Sequence, residues 1–554
     1  MANEISIRCK NSGKAIRVPL GSTLREVYDH SGLSMEYGPV AARINNKVQG
    51  LNYRFYNSKD VEFLSLFEDS GMRTYSRTLF LVLAKAVEDI YPSSQLIIGA
   101  PVSHGYYFEL RLGRPVEDED VQAISYRMRE IVAADMPIRR IQCPIEDAIQ
   151  MFRSRGMTSK VQLLETQGSL YTYYYKLENT IDYFYGCLMT RTSQLHLFQL
   201  IKMDEGLLLR IPSRKDPSQL EELVEQPKML AAIREHHHWL DIMGVRTAGE
   251  FNAATKAGHA TELINVAEAL QERKLTEIAD DIKAREAKIV LIAGPSSSGK
   301  TTTSKRLAIQ LMCCGMHPHT ISTDNYFVNR IDTPKDENGE YDFESLYGMD
   351  IDFLGQQLNA LLAGEEVELP KFNFVKGVRE FDGTTMRLGP NDMLFMEGIH
   401  ALNPALTPSV DQTKIFRIYI SALSALPGGE KVHNSTTDKR LLRRIVRDAR
   451  TRGISPEDNI LRWPSVRRGE TRNIFPYEEN ADVVFNSSTL YDVPVLKYYA
   501  EPLLKQIGPA SPAYEKAHSL VEFLQKAVAL RTEEIQAIPA TSIMREFIGG
   551  QMLY

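Results

Sequence analysis

The first pattern that could carry chemistry is a glycine- and serine-rich loop followed by a lysine and two threonines. Residues 294–302 read GPSSSGKTT, and they match G-x-x-x-x-G-K-[ST] between an apolar strand and an amphipathic helix. In such a loop the backbone amides surround phosphates, the lysine reaches the β- and γ-phosphates, and the first threonine binds Mg²⁺. The alternative is an ordinary Gly-Ser turn, which the flanking elements disfavour. We predict an ATP and Mg²⁺ site that contains Gly294, Pro295, Ser296, Ser297, Ser298, Gly299, Lys300, Thr301 and Thr302.

Two carboxylates follow strand-like segments in the same half of the chain. Asp324 follows the strand of HTISTDNYF, and Glu397 ends the apolar strand of DMLFMEGIHAL. At the carboxyl end of a strand beside a phosphate loop, Asp324 is placed to take a proton from an acceptor hydroxyl and to share the metal. The alternative is that Asp324 only caps the next loop. An Asn-Lys-x-Asp motif is absent from the sequence, which argues against a GTPase, and Glu397 replaces the Asp of motor-type ATPases.

A basic segment follows at residues 438–472, with eleven Lys or Arg against five Asp or Glu. Its arginines recur at helical spacing of three and four residues: Arg440, Arg443, Arg444 and Arg447, extended by Arg450 and Arg452. Guanidinium groups on one helix suit the negative charge that spreads during phosphoryl transfer. We predict a helix-loop lid that closes over ATP. The alternative is a solvated helix face.

Composition limits the class of protein. The 554 residues carry 65 Lys and Arg against 71 Asp and Glu, a net charge of -6, which argues against a protein that coats nucleic acid over its whole surface. The longest apolar runs are far shorter than the roughly 20 residues of a membrane span, and the N-terminus does not read as a signal peptide. The five cysteines lack metal-ligand spacing. We predict a reduced, cytoplasmic protein without membrane contact.

Element patterns divide the chain into regions that must position these residues. From Lys288 to about 506, strands and helices alternate, which is typical of a parallel sheet with crossover helices. The fold class is therefore predicted as multidomain α/β and α+β. The predicted regions are a small mixed module at 1–66, an α+β domain at 70–225, a helical connector at 226–286, a P-loop domain at 287–506 and a helical segment at 507–554.

The C-terminal motifs resemble the uridine–cytidine kinase and phosphoribulokinase family. Five occur in order over about residues 286–500: GPSSSGKTT, TDNYF, YDFESLYGMD, PKFNFVKGVRE with FMEGIHAL, and RRIVRDARTRG. The resemblance implies ATP-dependent phosphorylation of a nucleoside 5′-hydroxyl, with Asp324 as general base and metal neighbour and with Thr301 and Glu397 completing the Mg²⁺ environment. Lys300, Arg447 and Arg452 would act on the phosphates. The implied substrate-binding residues are Asp324, Tyr326, Glu344, Phe372, Arg379 and Arg444.

Several positions depart from that family. Phe372 stands where uridine–cytidine kinases carry a Tyr, Gly377 falls near their base-reading His, and Ile454 replaces the Arg after the lid glycine. Only the resemblance to the family favours uridine or cytidine as the substrate. The alternatives are a kinase for another small alcohol, such as a sugar phosphate, or an RNA-binding or regulatory protein switched by ATP. Whether GTP replaces ATP stays open.

The first 225 residues have a resemblance of their own. Residues 1–66 resemble the β-grasp module called TGS, and residues 70–225 resemble the second additional, editing domain of threonyl-tRNA synthetase, through QLIIGAPVSHGYYFEL and IDYFYGC. The editing domain's HxxxH and CxxxH pairs fall on Arg77, Leu81, Phe184 and Leu188, which cannot hold zinc. We therefore expect no zinc in this domain. We expect the two N-terminal modules to serve assembly, effector sensing or RNA contact, and we expect the protein to form a homo-oligomer. The run Tyr171–Tyr175 is predicted to fill alternate faces of a sheet.

Overall fold

A computed structural model describes residues 4–335, 339, 341–342, 344–423, 426 and 436–553. Its sheets are a five-stranded mixed sheet, a three-stranded and a four-stranded antiparallel sheet, a five-stranded parallel sheet and a two-stranded hairpin. No helix in these described residues is long and apolar enough to cross a membrane. The predicted multidomain α/β architecture is confirmed.

The first module is a mixed sheet in the order β2-β1-β5-β3-β4 with one helix. Thr23 caps the helix through the Glu26 backbone amide, and Gly32 ends it in the left-handed conformation at φ 68°. The elements are β1 (Glu4–Cys9), β2 (Lys14–Pro19), α1 (Leu24–Ser31), β3 (Ala41–Ile44), β4 (Lys47–Gln49) and β5 (Asp60–Leu64).

The second module packs a long buried helix against two antiparallel sheets. That helix stops at Ile90, two residues before Pro92, which lacks the amide needed to continue it. The sheet orders are β10-β9-β8 and β11-β12-β7-β6. The elements are α2 (Asp69–Ile90), β6 (Gln95–Val102), β7 (Gly105–Arg111), α3 (Asp118–Ala133), β8 (Arg139–Pro144), α4 (Ile145–Ser154), α5 (Thr158–Gln167), β9 (Tyr171–Leu177), β10 (Thr180–Asp182), β11 (Gln199–Met203) and β12 (Gly206–Arg210).

Three helices lead to the parallel sheet, whose order is β14-β17-β13-β18-β19. Every neighbouring pair in this sheet is parallel, so all five carboxyl ends meet at one edge. The elements are α6 (Pro227–Ile242), α7 (Ala248–Lys256), α8 (Ala260–Ala284), β13 (Ile289–Ala293), α9 (Lys300–Cys313), β14 (His317–Ser322), α10 (Ile351–Leu362), β15 (Val367–Asn373), β16 (Val378–Met386), β17 (Asp392–Glu397), β18 (Ile415–Ser421), α11 (Thr436–Thr451), α12 (Pro456–Asn473), β19 (Val483–Asn486) and α13 (Asp492–Leu504).

The final segment is helical and contacts both the first module and the P-loop domain. Its helices are α14 (Tyr514–Leu524), α15 (Thr532–Gln536) and α16 (Ile543–Ile548). On α14, Glu515 accepts a 2.5 Å hydrogen bond from Arg43 of the first module. On α16, Ile543 and Phe547 are buried beside the P-loop domain. Helix α16 is thus part of the packed structure.

Candidate active site

The phosphate loop follows β13, a strand whose five residues are all buried. A side chain at Gly294 would collide with the carbonyl oxygen of Ile420, and Gly299 adopts φ 86°, so both positions favour glycine. Lys300 donates to the carbonyl oxygen of Gly294 at 2.8 Å. Burial lowers the pKa of Lys300, an effect that neighbouring Glu397 opposes. The loop therefore has the backbone shape and the lysine that the motif predicts.

Glu397 and Thr301 meet at the carboxyl edge of the sheet. Glu397 is the last residue of β17, between β13 and β14, and its Oε1 lies 3.3 Å from the Thr301 hydroxyl. Its other oxygen, Oε2, is buried and lacks a hydrogen-bond partner among the described residues. Mg²⁺ prefers hydroxyl and carboxylate oxygens, so this pair fits a magnesium ion.

Asp324 follows β14, the strand next to β17 in the sheet. It lies in a short 3₁₀ turn in which the Ser322 hydroxyl accepts a 3.3 Å hydrogen bond from the Asp324 amide. The Asp324 side chain is exposed, while its partial desolvation raises the pKa of its carboxyl group above the ordinary value. A free carboxylate of raised basicity at this edge is suited to accept a proton from an alcohol.

The turn after Asp324 corrects one predicted substrate contact. Tyr326 is fully buried, and its hydroxyl donates to Gln357 on α10 at 2.9 Å. The prediction that Tyr326 binds substrate is wrong, because the 3₁₀ turn directs this ring into the core. Arg379 on β16 donates to Asp350 at 2.9 Å and to the carbonyl of Phe327 at 3.0 Å. Its guanidinium thus ties the hairpin to this turn rather than extending into solvent.

Two further residues that were predicted to bind substrate, Phe372 and Glu344, retain solvent-accessible surface. Phe372 on β15 is half-buried and stands edge-to-face with Phe327 at a centroid distance of 5.7 Å. Glu344 is exposed, and its carboxylate lies against Gly469 of α12. Burial raises the pKa of Glu344, and Asp342 adds to the effect. Phe343, in the same motif, lies outside the described residues.

The basic helix α11, predicted as part of a lid, is packed into the domain, and two of its arginines are paired with buried carboxylates. Arg443 is fully buried and donates to Asp492 at 2.6 Å. Arg440 is also buried and makes two hydrogen bonds to Glu470 of α12, at 2.6 and 2.9 Å. These acidic partners are 49 and 30 residues away in sequence. Local spacing therefore could not reveal that the charges are paired inside the protein.

Glu470 connects this ion pair to the phosphate loop. Its Oε1 accepts a 2.8 Å hydrogen bond from the backbone amide of Ser296. Burial alone would raise the pKa of Glu470, but Arg440 and Arg467 lower it overall. Glu470 was not among the residues predicted for the site. It holds one end of the loop as an ionised carboxylate.

One buried carboxylate, Asp448, is surrounded by Arg447 and Arg452, predicted to contact phosphates, and by Arg444, predicted to bind substrate. Arg447 donates to Asp448 at 2.8 Å, while Arg444 and Arg452 lie 3.4 and 3.6 Å from it. Arg444 also donates to the Ser296 hydroxyl at 2.9 Å, so it reaches the phosphate loop. Three guanidinium groups around one carboxylate leave a net positive charge next to the loop. Asp448 organises this cluster and was not predicted.

The C-terminal segment covers the start of α9. Thr302 donates to Glu546 of α16 at 2.7 Å and accepts a 2.6 Å hydrogen bond from Gln551. A methyl group of Ile543 lies against Gly299. Because these contacts join residues about 250 apart, no pattern in the sequence could indicate them. The predicted ATP-binding residue Thr302 is therefore bonded within the protein.

In the second module, the positions aligned with zinc ligands converge around one cavity. Arg77, Phe184 and Leu188 line a cavity of about 740 Å³, and Leu81 lies in the adjoining core. Within the described ranges, no group of three or more His, Cys, Asp or Glu side chains could hold a metal ion. The cavity is lined instead by cationic and aromatic groups.

Residues 289–494 match the family described as the Phosphoribulokinase / Uridine kinase family. The match begins at β13, includes the phosphate loop, Asp324 and Glu397, and ends within α13. The C-terminal part of the chain therefore carries a domain of this family, which is a phosphotransferase domain built on a phosphate loop. The resemblance inferred from the five motifs is confirmed at this level.

Curated relatives match the part of the chain that precedes this domain. The chain is 29% identical to the threonine–tRNA ligase of Methylococcus capsulatus over 196 residues, which cover 35% of this chain and 30% of that protein. It is 31% identical to the enzyme of Syntrophomonas wolfei over 161 residues, covering 29% of this chain and 25% of that protein. The chain thus spans less than a third of the length of these relatives. The similarity fits the synthetase-like N-terminal modules.

Among the solved structures that match part of the chain are two that are described as kinases. D-glycerate 3-kinase from Cryptococcus neoformans matches at 14% identity and a TM-score of 0.24, over 37% of this chain and 88% of that chain. The structure described as "a Possible Uridine Kinase from Bacillus stearothermophilus" matches at 20% identity and a TM-score of 0.25, over 38% and 98%. At these scores the likeness carries nothing about the substrate of this chain.

Proposed function

We propose that this protein transfers the γ-phosphoryl group of ATP to the 5′-hydroxyl of a nucleoside. The observation that carries the proposal is the edge of the parallel sheet, where Thr301 lies 3.3 Å from Glu397 and Asp324 follows the neighbouring strand. A phosphate loop, an oxygen pair suited to Mg²⁺ and an exposed carboxylate are the parts that phosphoryl transfer to an alcohol needs.

In the proposed reaction, Asp324 accepts the proton of the acceptor hydroxyl while the hydroxyl oxygen forms a bond to the γ-phosphorus. The bond between that phosphorus and the β–γ bridging oxygen breaks, and ADP leaves. Lys300, with Arg444, Arg447 and Arg452 near the loop, stabilises the charge on the transferring group. Thr301, Glu397 and Asp324 would hold Mg²⁺, which neutralises phosphate charge when bound. The protein residues thus supply position, electrostatics and a base.

For the acceptor, Glu344 and Phe372 support a nucleoside. Glu344 presents a carboxylate that can accept hydrogen bonds from two ribose hydroxyls, and Phe372 offers a half-buried ring to a base. Uridine and cytidine are favoured through the resemblance of the motifs.

A product assay over nucleosides tests the proposal. The full chain would be incubated with ATP, Mg²⁺ and each of uridine, cytidine, adenosine and guanosine, and nucleoside monophosphates would be separated by chromatography. The matched control for Asp324→Asn is Asp332→Asn, which changes an exposed carboxylate in a nearby turn. Absence of any Asp324-dependent monophosphate would reject a nucleoside acceptor.

One observation favours a second candidate, an acceptor that already carries phosphate. At Gly377, where the related kinases have a base-reading His, the Arg330 side chain fills the space and donates to the Phe374 carbonyl at 2.8 Å. A guanidinium at this place suits an anionic alcohol. Sugar phosphates would be added to the acceptors of that assay. Phosphorylation of a sugar phosphate but of no nucleoside would favour this candidate.

A further inference from the structure

A cavity of about 740 Å³ lies where the first module, the second module, α11 and α14 meet. Its walls include Lys47 of β4, Arg77 of α2, Arg140 of β8, Asp438 of α11 and Lys516 of α14. The residues of the phosphate loop do not line it. The volume is in the range of pockets that hold small organic ligands, roughly 300–1,000 Å³.

Cationic groups predominate in this lining, and two of them lack acidic partners. Arg77 makes only long hydrogen bonds, at 3.3 Å to the Cys187 carbonyl and at 3.4 Å to the Thr74 hydroxyl. The Arg140 guanidinium lies 3.9 Å from the centre of the Tyr173 ring. Among the described residues, neither arginine forms an ion pair with a carboxylate. Two such guanidinium groups at one cavity suit an anionic ligand.

Two of the three acidic residues of the lining are paired with cationic side chains. Asp438 forms an ion pair with Lys516, Glu515 accepts from Arg43 at 2.5 Å, and Glu522 lies 3.5 Å from His518. Burial lowers the pKa of His518, so Glu522 keeps its negative charge, but cationic side chains still outnumber carboxylates in the lining. Lys526, a buried residue of the lining, lies 4.0 Å from the Tyr185 ring, and burial lowers its pKa to about 7.

Aromatic rings form much of the remaining wall. Tyr53, Tyr106, Tyr173 and Tyr185 all line the cavity, and burial raises the pKa of Tyr106 and of Tyr173, so their phenols stay neutral. Neutral aromatic rings stack on planar bases. Positive charge beside neutral rings matches a molecule that joins a phosphate to a planar ring.

We propose that this cavity binds a mononucleotide, with the phosphate at Arg77 and Arg140 and the base against the tyrosine rings. The site is separate from the phosphate loop and does not depend on which acceptor the kinase domain uses. The role assigned to the site is binding of the nucleotide. Through Asp438, the cavity adjoins the first turn of α11, the helix that carries Arg444 and Arg447 to the active site.

Calorimetric titration of the full chain with UMP and with AMP tests this site. A saturating non-hydrolysable ATP analogue would occupy the phosphate loop throughout. Arg140 is exposed, so Arg140→Ala leaves the core intact, and Arg139→Ala on the same strand is the matched control because adjacent strand residues face opposite sides. Arg77→Gln provides a second, independent change at the cavity.

The wild type and Arg139→Ala are expected to bind at least one of the two probes with equal affinity. Arg140→Ala and Arg77→Gln are expected to weaken that binding at least tenfold. Equal affinity in Arg140→Ala and Arg139→Ala, or no binding of either probe to the wild type, would overturn the proposal. Tighter binding of a short single-stranded oligoribonucleotide than of both mononucleotides would also overturn it, because the site would then belong to RNA.

Discussion

At the residue scale, the polar groups of the candidate active site are placed by the strands that precede them. β13 leads to the phosphate loop, β17 ends at Glu397, and β14 leads to Asp324. Because parallel strands end at one edge, an apolar run followed by a carboxylate is enough to predict this grouping. The burial of Tyr326 could not be predicted in this way, because it depends on the conformation of the turn that directs the ring into the core.

The raised pKa of Asp324 predicts the acid side of the pH–rate profile. Only the ionised carboxylate can accept the hydroxyl proton, so kcat should fall as pH drops through the pKa of this group. Since desolvation raises that pKa above its ordinary value of 3.8, the fall should begin at a higher pH than for a free aspartate. Initial rates between pH 4 and 8 at saturating substrates measure it. A profile identical in shape for Asp324→Asn would contradict this assignment.

At the element scale, the basic helix α11 stabilises the domain and shapes the site together with α12. Arg440 and Arg443 point inward to Glu470 and Asp492, while Arg444 and Arg447 on the same helix reach Asp448 and the loop. Helical spacing alone predicts that these arginines share a helix but not which of them are buried, because their acidic partners lie on later elements.

Loss of the buried Arg440–Glu470 pair should be costly. Arg440→Met leaves Glu470 buried with fewer cationic partners, and we expect unfolding to become easier by about 3 kcal/mol. The exposed Arg462→Met on α12 is the control, with an expected change of roughly 0.5 kcal/mol or less. Denaturant unfolding followed by tryptophan fluorescence suits the test, because Arg440 lies 5.3 Å from the Trp463 ring. Equal midpoints for the two variants would show that the pair does not stabilise the domain.

At the scale of the whole molecule, the C-terminal segment contacts both the first module and the start of α9. α14 binds Arg43 of the first module, and α16 reaches Thr302 at the start of α9. The sequence patterns predict helices in this segment, but helical periodicity carries no information on which distant surface they cover. The contacts between the N-terminal modules, α14 and α11 were likewise beyond sequence analysis, since they depend on how separate units pack.

Glu546 places a negative charge beside the loop that is proposed to bind ATP. The Glu546 carboxylate is one of the charges that act on Lys300. Replacing it by Gln removes a negative charge that would repel the phosphates of ATP, so the KM for ATP should fall several-fold. Glu533→Gln, on the exposed side of α15, is the matched control and should leave the KM unchanged. Steady-state kinetics with varied ATP measure both. A KM that rises in Glu546→Gln would mean that this carboxylate supports ATP binding instead.

The central claim is that Asp324 at the carboxyl edge of the sheet activates a nucleoside 5′-hydroxyl for phosphoryl transfer from ATP. The most direct measurement is the initial rate of uridine 5′-monophosphate formation by the full chain, compared for the wild type, Asp324→Asn and Asp332→Asn. We predict that the wild type and Asp332→Asn form this product at similar rates and that Asp324→Asn is slower by about 10²–10⁴-fold. Product formation by Asp324→Asn at the wild-type rate would contradict the claim.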